Sequence, residues 1–321
     1  MGSAGSKGRK SAIFVLVDAG SRLAHGLPMT DHRQPTSCFF TSQNLRLHYL
    51  DWGNHGAPLL ILQHGGFDHA RSMDWIAREL ADEWHVIAPD LRGHGDSAWS
   101  VDAAYNMAAY IFDFANLIEA LGQDKVTICA HSLGAMITTR FAGIYPERVV
   151  KFVNIEGLSV PQQANSLLSI TPFAARMRQW VALHRAAPLR KVRRYATEEQ
   201  ARERMREKNR HLSEVLVRHL THHALRRNED GSYSWKFDPR LNIFPAVDFQ
   251  QADVESLWQA VECPILFIQG SESFMPNPVT DGRINHFRNA RLIEYDEASH
   301  WPHHDRFDAF MRDLKAFLAE G

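Results

Sequence analysis

Cysteine is scarce in this chain: three in 321 residues, at positions 38, 129 and 263. An odd, widely spaced set excludes a disulfide framework and shows no zinc-type spacing, which favours a reducing, cytoplasmic setting. Cys129 and Cys263 fall inside apolar runs and read as buried free thiols. Long hydrophobic runs are also missing. None approaches the roughly 18 residues of a membrane span, so no stable membrane insertion is expected. A charge excess is missing too, with 36 Lys and Arg against 37 Asp and Glu and a net charge of -1. Nothing global therefore points to nucleic acid as a partner. Internal repeats and low-complexity tracts are absent as well.

The N-terminal stretch is harder to place. "SKGRKSAIFVLVDAG" has the outline of a signal peptide, with basic residues before a short apolar stretch. Asp18 interrupts it early and no small-x-small cleavage site follows. "MGSAGS" matches the loose myristoylation pattern, which a short Gly/Ser-rich start meets by chance. Residues 1–36 are read as a poorly ordered extension, with Met29 an alternative start.

What the sequence does have is rhythm. "CFFTSQNLRLHYLDWG" alternates apolar and polar residues about a turn at 42–44 and predicts an antiparallel hairpin. Short runs rich in Ile, Val and Leu follow: "PLLILQHGG", "HVIAPD", "KVTICAHS", "VVKFVNIEG", "PILFIQGS" and "RLIEYDEAS". Continuous apolar character marks strands buried on both faces. Helical periodicity separates most of them, as in "MDWIARELADEW" and "AAYIFDFANLIEALG". Strand–helix alternation predicts an α/β fold with a mostly parallel sheet.

One interval breaks the alternation. Residues 159–249 hold helical patches and no strong β run, which predicts a helical insertion dividing a core of residues 37–158 and 250–321. From Arg176 to Arg227 the interval carries roughly fifteen Lys or Arg against about five Glu. Attraction of an anionic substrate and a solvated face with i,i+4 pairs are both open readings of that charge.

The chemistry gathers at the ends of the strands. "VTICAHSLGAMITTRF" describes a buried strand, a tight turn holding Ser132, and an apolar helix. A serine on such a turn projects its hydroxyl beyond the sheet, and the residues two before and two after must be small. Here they are Ala130 and Gly134, the first departing from the usual G-x-S-x-G. A serine needs a base. "ASHWPHHD" places His300 in a loop after the last strand, within reach of the same rim, in the order serine then histidine. His303 and His304 read as surface histidines rather than metal ligands. An oxyanion needs donors. "LQHGGF" puts two glycines after a strand, so that the amide of Gly66, or of Phe67, can pair with that of Leu133 beyond the serine.

"HGGFDHARSMDW", "VIAPDLRGHGDS", "AHSLGA", "GSESFMP" and "ASHWPHHD", in this order, resemble the α/β-hydrolase fold superfamily. The resemblance runs from about Cys38 to the C-terminus. It is nearest to the branch of haloalkane dehalogenases, epoxide hydrolases and small serine esterases. It implies a mostly parallel sheet of about eight strands flanked by helices, with a helical cap matching 159–249. It also implies a structural role for the turn "DLRGHGDS".

That family most often carries its acid after the strand that follows the cap, in a G-x-x-D pattern, where this chain has Ser273. A hydroxyl cannot stabilise an imidazolium as a carboxylate does. Two carboxylates are candidates. Glu272 is adjacent, and Glu156 closes the apolar run 149–155 on the strand after the nucleophile's strand. Some dehalogenases of this fold place a catalytic glutamate at that point, and Glu156 is the preferred acid with Glu272 the alternative.

The nucleophile separates chemistries. Dehalogenases and epoxide hydrolases of this fold use aspartate, whereas a serine ether would be a dead end. A Ser132–His300–Glu156 esterase acting on a small-molecule ester is therefore expected, with no cofactor or metal. Phe67, Leu133, Phe173, Met177, Trp180 and Phe244 are candidate apolar lining for the substrate. Lactone, thioester or peracid chemistry on the same site is the runner-up. A non-catalytic binding protein that kept the fold is the competing class.

Overall fold

The computed structural model describes residues 15–18, 33–158, 171–187 and 192–320. Six runs expected as strands form β4 (Leu59–Gln63), β5 (His85–Pro89), β6 (Val126–His131), β7 (Val149–Ile155), β10 (Ile265–Gly270) and β11 (Ala290–Tyr295). The hairpin supplies β2 (Thr36–Ser42) and β3 (Leu45–Asp51), and its turn residues Gln43 and Asn44 both take positive φ. Paired positive φ values give the turn the twist that flanking strands require. Together these make the eight strands expected.

A ninth, β1 (Val15–Asp18), lies parallel to β11 at the sheet edge, giving the order β1-β11-β10-β7-β6-β4-β5-β3-β2. Residues 15–18, within the segment 1–36 expected to be poorly ordered, thus pair with the sheet. The apolar stretch that resembles a signal sequence is also β-branched enough to pair. The rest of 1–32 lies outside the described residues. Only the β2–β3 and β3–β5 pairings are antiparallel; the others in this sheet are parallel.

Every residue of β4, β5, β6 and β10 is buried, because helices cover both faces. Alternate side chains serve opposite layers. Leu59 and Ile61 pack with helices α2 (Met107–Ala120), α3 (Ser132–Ile144) and α7 (Gln251–Ala260). Leu60 and Leu62 pack with α1 (Asp74–Leu80) and α9 (Phe307–Ala319). Helix α2 starts at Asn106, whose side chain accepts from the Ala109 amide.

Between β7 and α7 come α4 (Phe173–Ala186), α5 (Glu198–Lys208) and α6 (Glu214–Ala224), then a two-stranded ribbon of β8 (Leu225–Arg227) and β9 (Tyr233–Trp235). The ribbon was not legible in the sequence, since three-residue strands leave no room for an alternating pattern. Polar links tie this interval to the core. His69 donates from Nε2 to the Leu220 carbonyl at 3.0 Å, His219 from Nε2 to the Arg71 carbonyl at 3.0 Å, and the Asp238 amide to the Gly93 carbonyl at 2.8 Å. Tyr105 donates its hydroxyl to Asp238. Residues 159–170 and 188–191 lie outside the described residues. Helix α7 packs on α3 and belongs with the core layer, the backbone of Leu257 lying against Gly143.

Cys129 and Cys263 are free and buried, and burial pushes both thiols up, Cys263 to about 12. No helix among the described residues is long and apolar enough to cross a membrane.

Candidate active site

Strand β6 delivers Ser132 at the first position of α3 with φ of 49°, a left-handed conformation that costs a non-glycine residue energy. Small neighbours make room for it. A Cβ on Gly134 would stand 2.3 Å from the His64 carbonyl oxygen. Ala130, the departure from the usual motif, is fully buried within β6, so its methyl is accommodated.

Glu156 follows the last residue of β7, also at positive φ (57°), and is 4% exposed. Gly157 then passes directly beneath the serine turn, where a Cβ would lie 2.3 Å from both the Ser132 carbonyl oxygen and the Ala135 Cβ. Gly157→Ala is expected to destabilise the fold by about 1–3 kcal/mol through this overlap, read as a lower urea midpoint with unchanged slope. A midpoint equal to wild type would contradict the packing.

The C-terminal loop brings His300 between these two residues. Its Nε2 stands 2.9 Å from Ser132 Oγ and its Nδ1 3.3 Å from Glu156 Oε2. The carboxylate is held from two further directions. Its Oε1 accepts the Gly270 amide and its Oε2 accepts the Ser273 hydroxyl, each at 2.6 Å. Ser273 in turn accepts the Met275 amide at 3.1 Å, which commits the hydroxyl proton to Glu156. Ser273, at the family's usual acid position, thus braces the Glu156 carboxylate. Glu272, the alternative, is exposed, and among the described residues no hydrogen bond joins it to His300.

The glycine loop is set by a histidine. An amide can only donate, so His64 Nε2 accepts from Leu91 N–H at 3.0 Å and carries its proton on Nδ1, which donates to the Gly65 carbonyl at 2.6 Å. A trans peptide points its carbonyl and its amide in opposite directions. Holding the Gly65 carbonyl toward His64 therefore turns the Gly66 amide away from it. Gly66 lies against Leu133, and a Cβ there would be 3.8 Å from that of Leu133. Leu133 is the second residue of α3, where an amide has no partner within the helix. Phe67, next in the loop, has φ of 58° and is 49% exposed, its ring edge-on to Phe237.

Several neighbours were not found from sequence. His131 donates from Nε2 to the His300 carbonyl at 2.8 Å, and its Nδ1 would be 2.8 Å from a Cβ on Gly65, so one ring touches both the base loop and the glycine loop. Phe274, 69% exposed, lays its ring 4.4 Å from that of His300. His303 and His304, expected at the surface, are buried, because short helix α8 (Pro302–Asp305) tucks them against His131 and Trp75. Of the remaining lining candidates, Leu133 is half-buried at the site. Phe173 and Phe244 are exposed, and Met177 and Trp180 half-buried. Ring contacts of Trp180 and Phe173 stay within α4, with His184 and Arg176. Among the described residues no hydrogen bond or ring contact joins these four to Ser132, His300 or Glu156.

The turn expected to be structural is tightly bonded. Asp90 accepts from His48, from the Ala70 amide and from the Asp96 amide, and Arg92 grips Asp113 through two bonds. Among the described residues three groups of side chains lie close enough to share a cation: Asp51, His55 and His85; Asp74, His219 and His223; and His48, Asp90 and Asp96. The carboxylates in these groups have partners outside them: Asp51 accepts the Gly53 amide, Asp90 the Ala70 amide, Asp96 pairs with Lys236, and Asp74 with both Arg71 and Arg78.

Burial is the main cause that lowers His223, half-buried, to about 2, and it lowers four fully buried histidines: His64 to about 3, His94 to about 4, and His131 and His303 well below the usual range. They stay neutral in the fold but titrate near 6.5 in the unfolded chain, so below that pH the unfolded state binds more protons. Stability present above pH 6.5 is therefore lost as pH falls toward 4, by up to about 1.4 kcal/mol per pH unit for each fully buried ring. Acid unfolding is expected between about pH 5 and 6, earlier than carboxylate titration alone would bring it. A urea midpoint constant from pH 8 to about 5 would contradict this.

With that geometry in place, comparison with known proteins defines the class. Residues 58–307 match the family model for the alpha/beta hydrolase fold, and the chain belongs to that family. It is 30% identical over 195 residues to a zebrafish (Danio rerio) serine hydrolase-like protein, covering 60% of this chain and 58% of that one. It is 33% identical over 130 residues to mouse (Mus musculus) epoxide hydrolase 4, covering 40% and 36%. The matched segments thus span well under two thirds of either relative. Among solved structures, a hypothetical protein of Pseudomonas aeruginosa superposes with a TM-score of 0.77 at 23% identity, covering 88% of this chain and 99% of that one. The thioesterase domain from the curacin biosynthetic pathway also gives 0.77, at 18% identity and the same coverage. At such identities these two speak for the fold alone.

Proposed function

We propose that this chain is a serine hydrolase that cleaves small-molecule carboxylic esters through an acyl-enzyme. The observation that carries the reading is the continuous line from Ser132 Oγ through the His300 ring to the buried Glu156 carboxylate. His300 Nε2 takes the hydroxyl proton as Ser132 Oγ attacks the ester carbonyl, and Glu156 steadies the imidazolium. The amides of Gly66 and Leu133, with Phe67 next in the loop, receive the oxyanion. His300 then protonates the departing alcohol, and water, activated by the same ring, releases the acid. No metal or cofactor enters these steps.

The relative named epoxide hydrolase 4 raises a second reading. Serine counts against it. Attack by Ser132 on an epoxide carbon would form an ether, which lacks the carbonyl that water needs to free the enzyme. Two results test the proposal. Wild type is expected to react stoichiometrically with a fluorophosphonate probe, adding one phosphonyl group to the peptide that bears Ser132, and to hydrolyse short p-nitrophenyl esters. A folded wild type that did neither would favour a binding protein that retained the fold.

A further inference from the structure

The charge of the inserted interval divides into two parts. On α5 the three arginines have local partners: Arg202 with Glu199, Arg204 with Glu207, and Arg206 with Glu214. That part is a solvated, self-paired face. The segment before it is different. No Asp or Glu occurs between Glu156 and Glu198, while Arg176, Arg178, Arg185, Arg190, Lys191, Arg193 and Arg194 all do.

Helix α4 carries three of these cations and buries none of its residues. Arg178, Arg185 and Arg193 are exposed. Arg194 reaches Asp230, an ion pair about half exposed on both sides. Beside the helix runs a short apolar stretch, tied to it where Arg176 donates to the Ala246 carbonyl at 3.4 Å. Phe244 (77% exposed) and Val247 (61%) stand out from that stretch, and Phe173 (56%) from the start of α4. Asp248 is the one carboxylate there.

Exposed aromatic and aliphatic side chains, beside Arg178, Arg185 and Arg193 for which no carboxylate partner occurs among the described residues, suit one kind of partner. A bilayer surface with anionic headgroups offers negative charge above a shallow apolar layer, and takes both. We propose that α4, residues 192–194 and the stretch 244–247 form a docking face for an anionic lipid surface. Arginines bind the headgroup phosphates while Phe173, Phe244 and Val247 enter the layer beneath. The proposal does not depend on the Ser132 site being an esterase.

The test is sedimentation of the full chain with phosphatidylcholine vesicles, with and without phosphatidylglycerol. Wild type is expected to pellet with the anionic vesicles only and to be released as salt is raised roughly tenfold. Arg178→Gln, Arg185→Gln and Arg193→Gln together are expected to weaken that binding about 10²-fold. Turnover of a short, neutral, soluble p-nitrophenyl ester should stay unchanged, which separates loss of docking from failure of the esterase reading. Phe173→Ser with Phe244→Ser should weaken binding without altering its salt dependence. Equal pelleting with both vesicle types, or none with either, would overturn the proposal. So would retention on immobilised heparin without vesicle binding, which would mark a face for polyanions in general.

Discussion

Ser132→Ala is expected to lower kcat for a p-nitrophenyl ester by about 10⁵-fold with little change in KM. The hydroxyl contributes almost nothing to holding the substrate and everything to the bond that forms. Without it His300 has no nucleophile to activate, and only the backbone donors and bound water remain. A residual rate well above solution hydrolysis is still expected, because amides aimed at an oxyanion act whatever the attacking group. The burst that marks acyl-enzyme formation should vanish with the side chain. A variant that kept more than about a tenth of wild-type turnover would exclude Ser132 as the nucleophile.

Glu156→Gln is expected to cost about 10² to 10⁴ in kcat. An amide keeps the shape but loses the charge that favours the imidazolium, and its NH2 can face Nδ1 and hold the wrong tautomer. What makes this position informative is Ser273. Its Oγ is 2.6 Å from Glu156 Oε2, so a carboxylate built on Ser273 projects into the same space. Ser273→Asp in the Glu156→Gln background is expected to recover at least about tenfold of the loss. Ser273→Asp alone sets two carboxylates side by side. They would share a proton near neutrality, and the activity profile would move to higher pH. If Glu156→Gln were nearly silent while Glu272→Gln lost about 10²-fold, the acid would have been misassigned.

Strands were legible where burial on both faces left its mark, and β4 to β7, β10 and β11 follow the apolar runs closely. Ser132 was legible because a left-handed turn demands small neighbours two residues away on each side, and His300 because a loop must follow the last strand. Glu156 could be picked out because a carboxylate closing a buried run needs a partner. What stayed hidden depends on contacts between distant segments. The His131–His300 bond joins residues 169 positions apart. The burial of His303 and His304 depends on where α8 settles, and the contact of Phe274 with His300 on a loop path that composition does not encode. Edge strand β1 carries so short a pattern that a leader-like reading competes with it. The lining candidates on α4 rest on a weaker signal. Helical periodicity marks an apolar stripe but does not say which surface the stripe meets.

The position of Glu156 also bears on how such a protein can change over time. Gly66, Ser132 and Glu156 all precede residue 159, and only His300 comes from beyond the inserted interval. Were the carboxylate at position 273 instead, two of the side chains in that line would depend on how the chain re-enters the sheet after the insertion. Here recombination that grafts a longer, shorter or foreign segment between β7 and α7 puts at risk the alignment of one imidazole and the two donors, Gly270 N–H and Ser273 Oγ, that brace the carboxylate. A lineage built this way can vary the segment between β7 and α7 while Ser132 and Glu156 keep their places in the chain before it, and chimaeras with exchanged inserts would show how freely it does so.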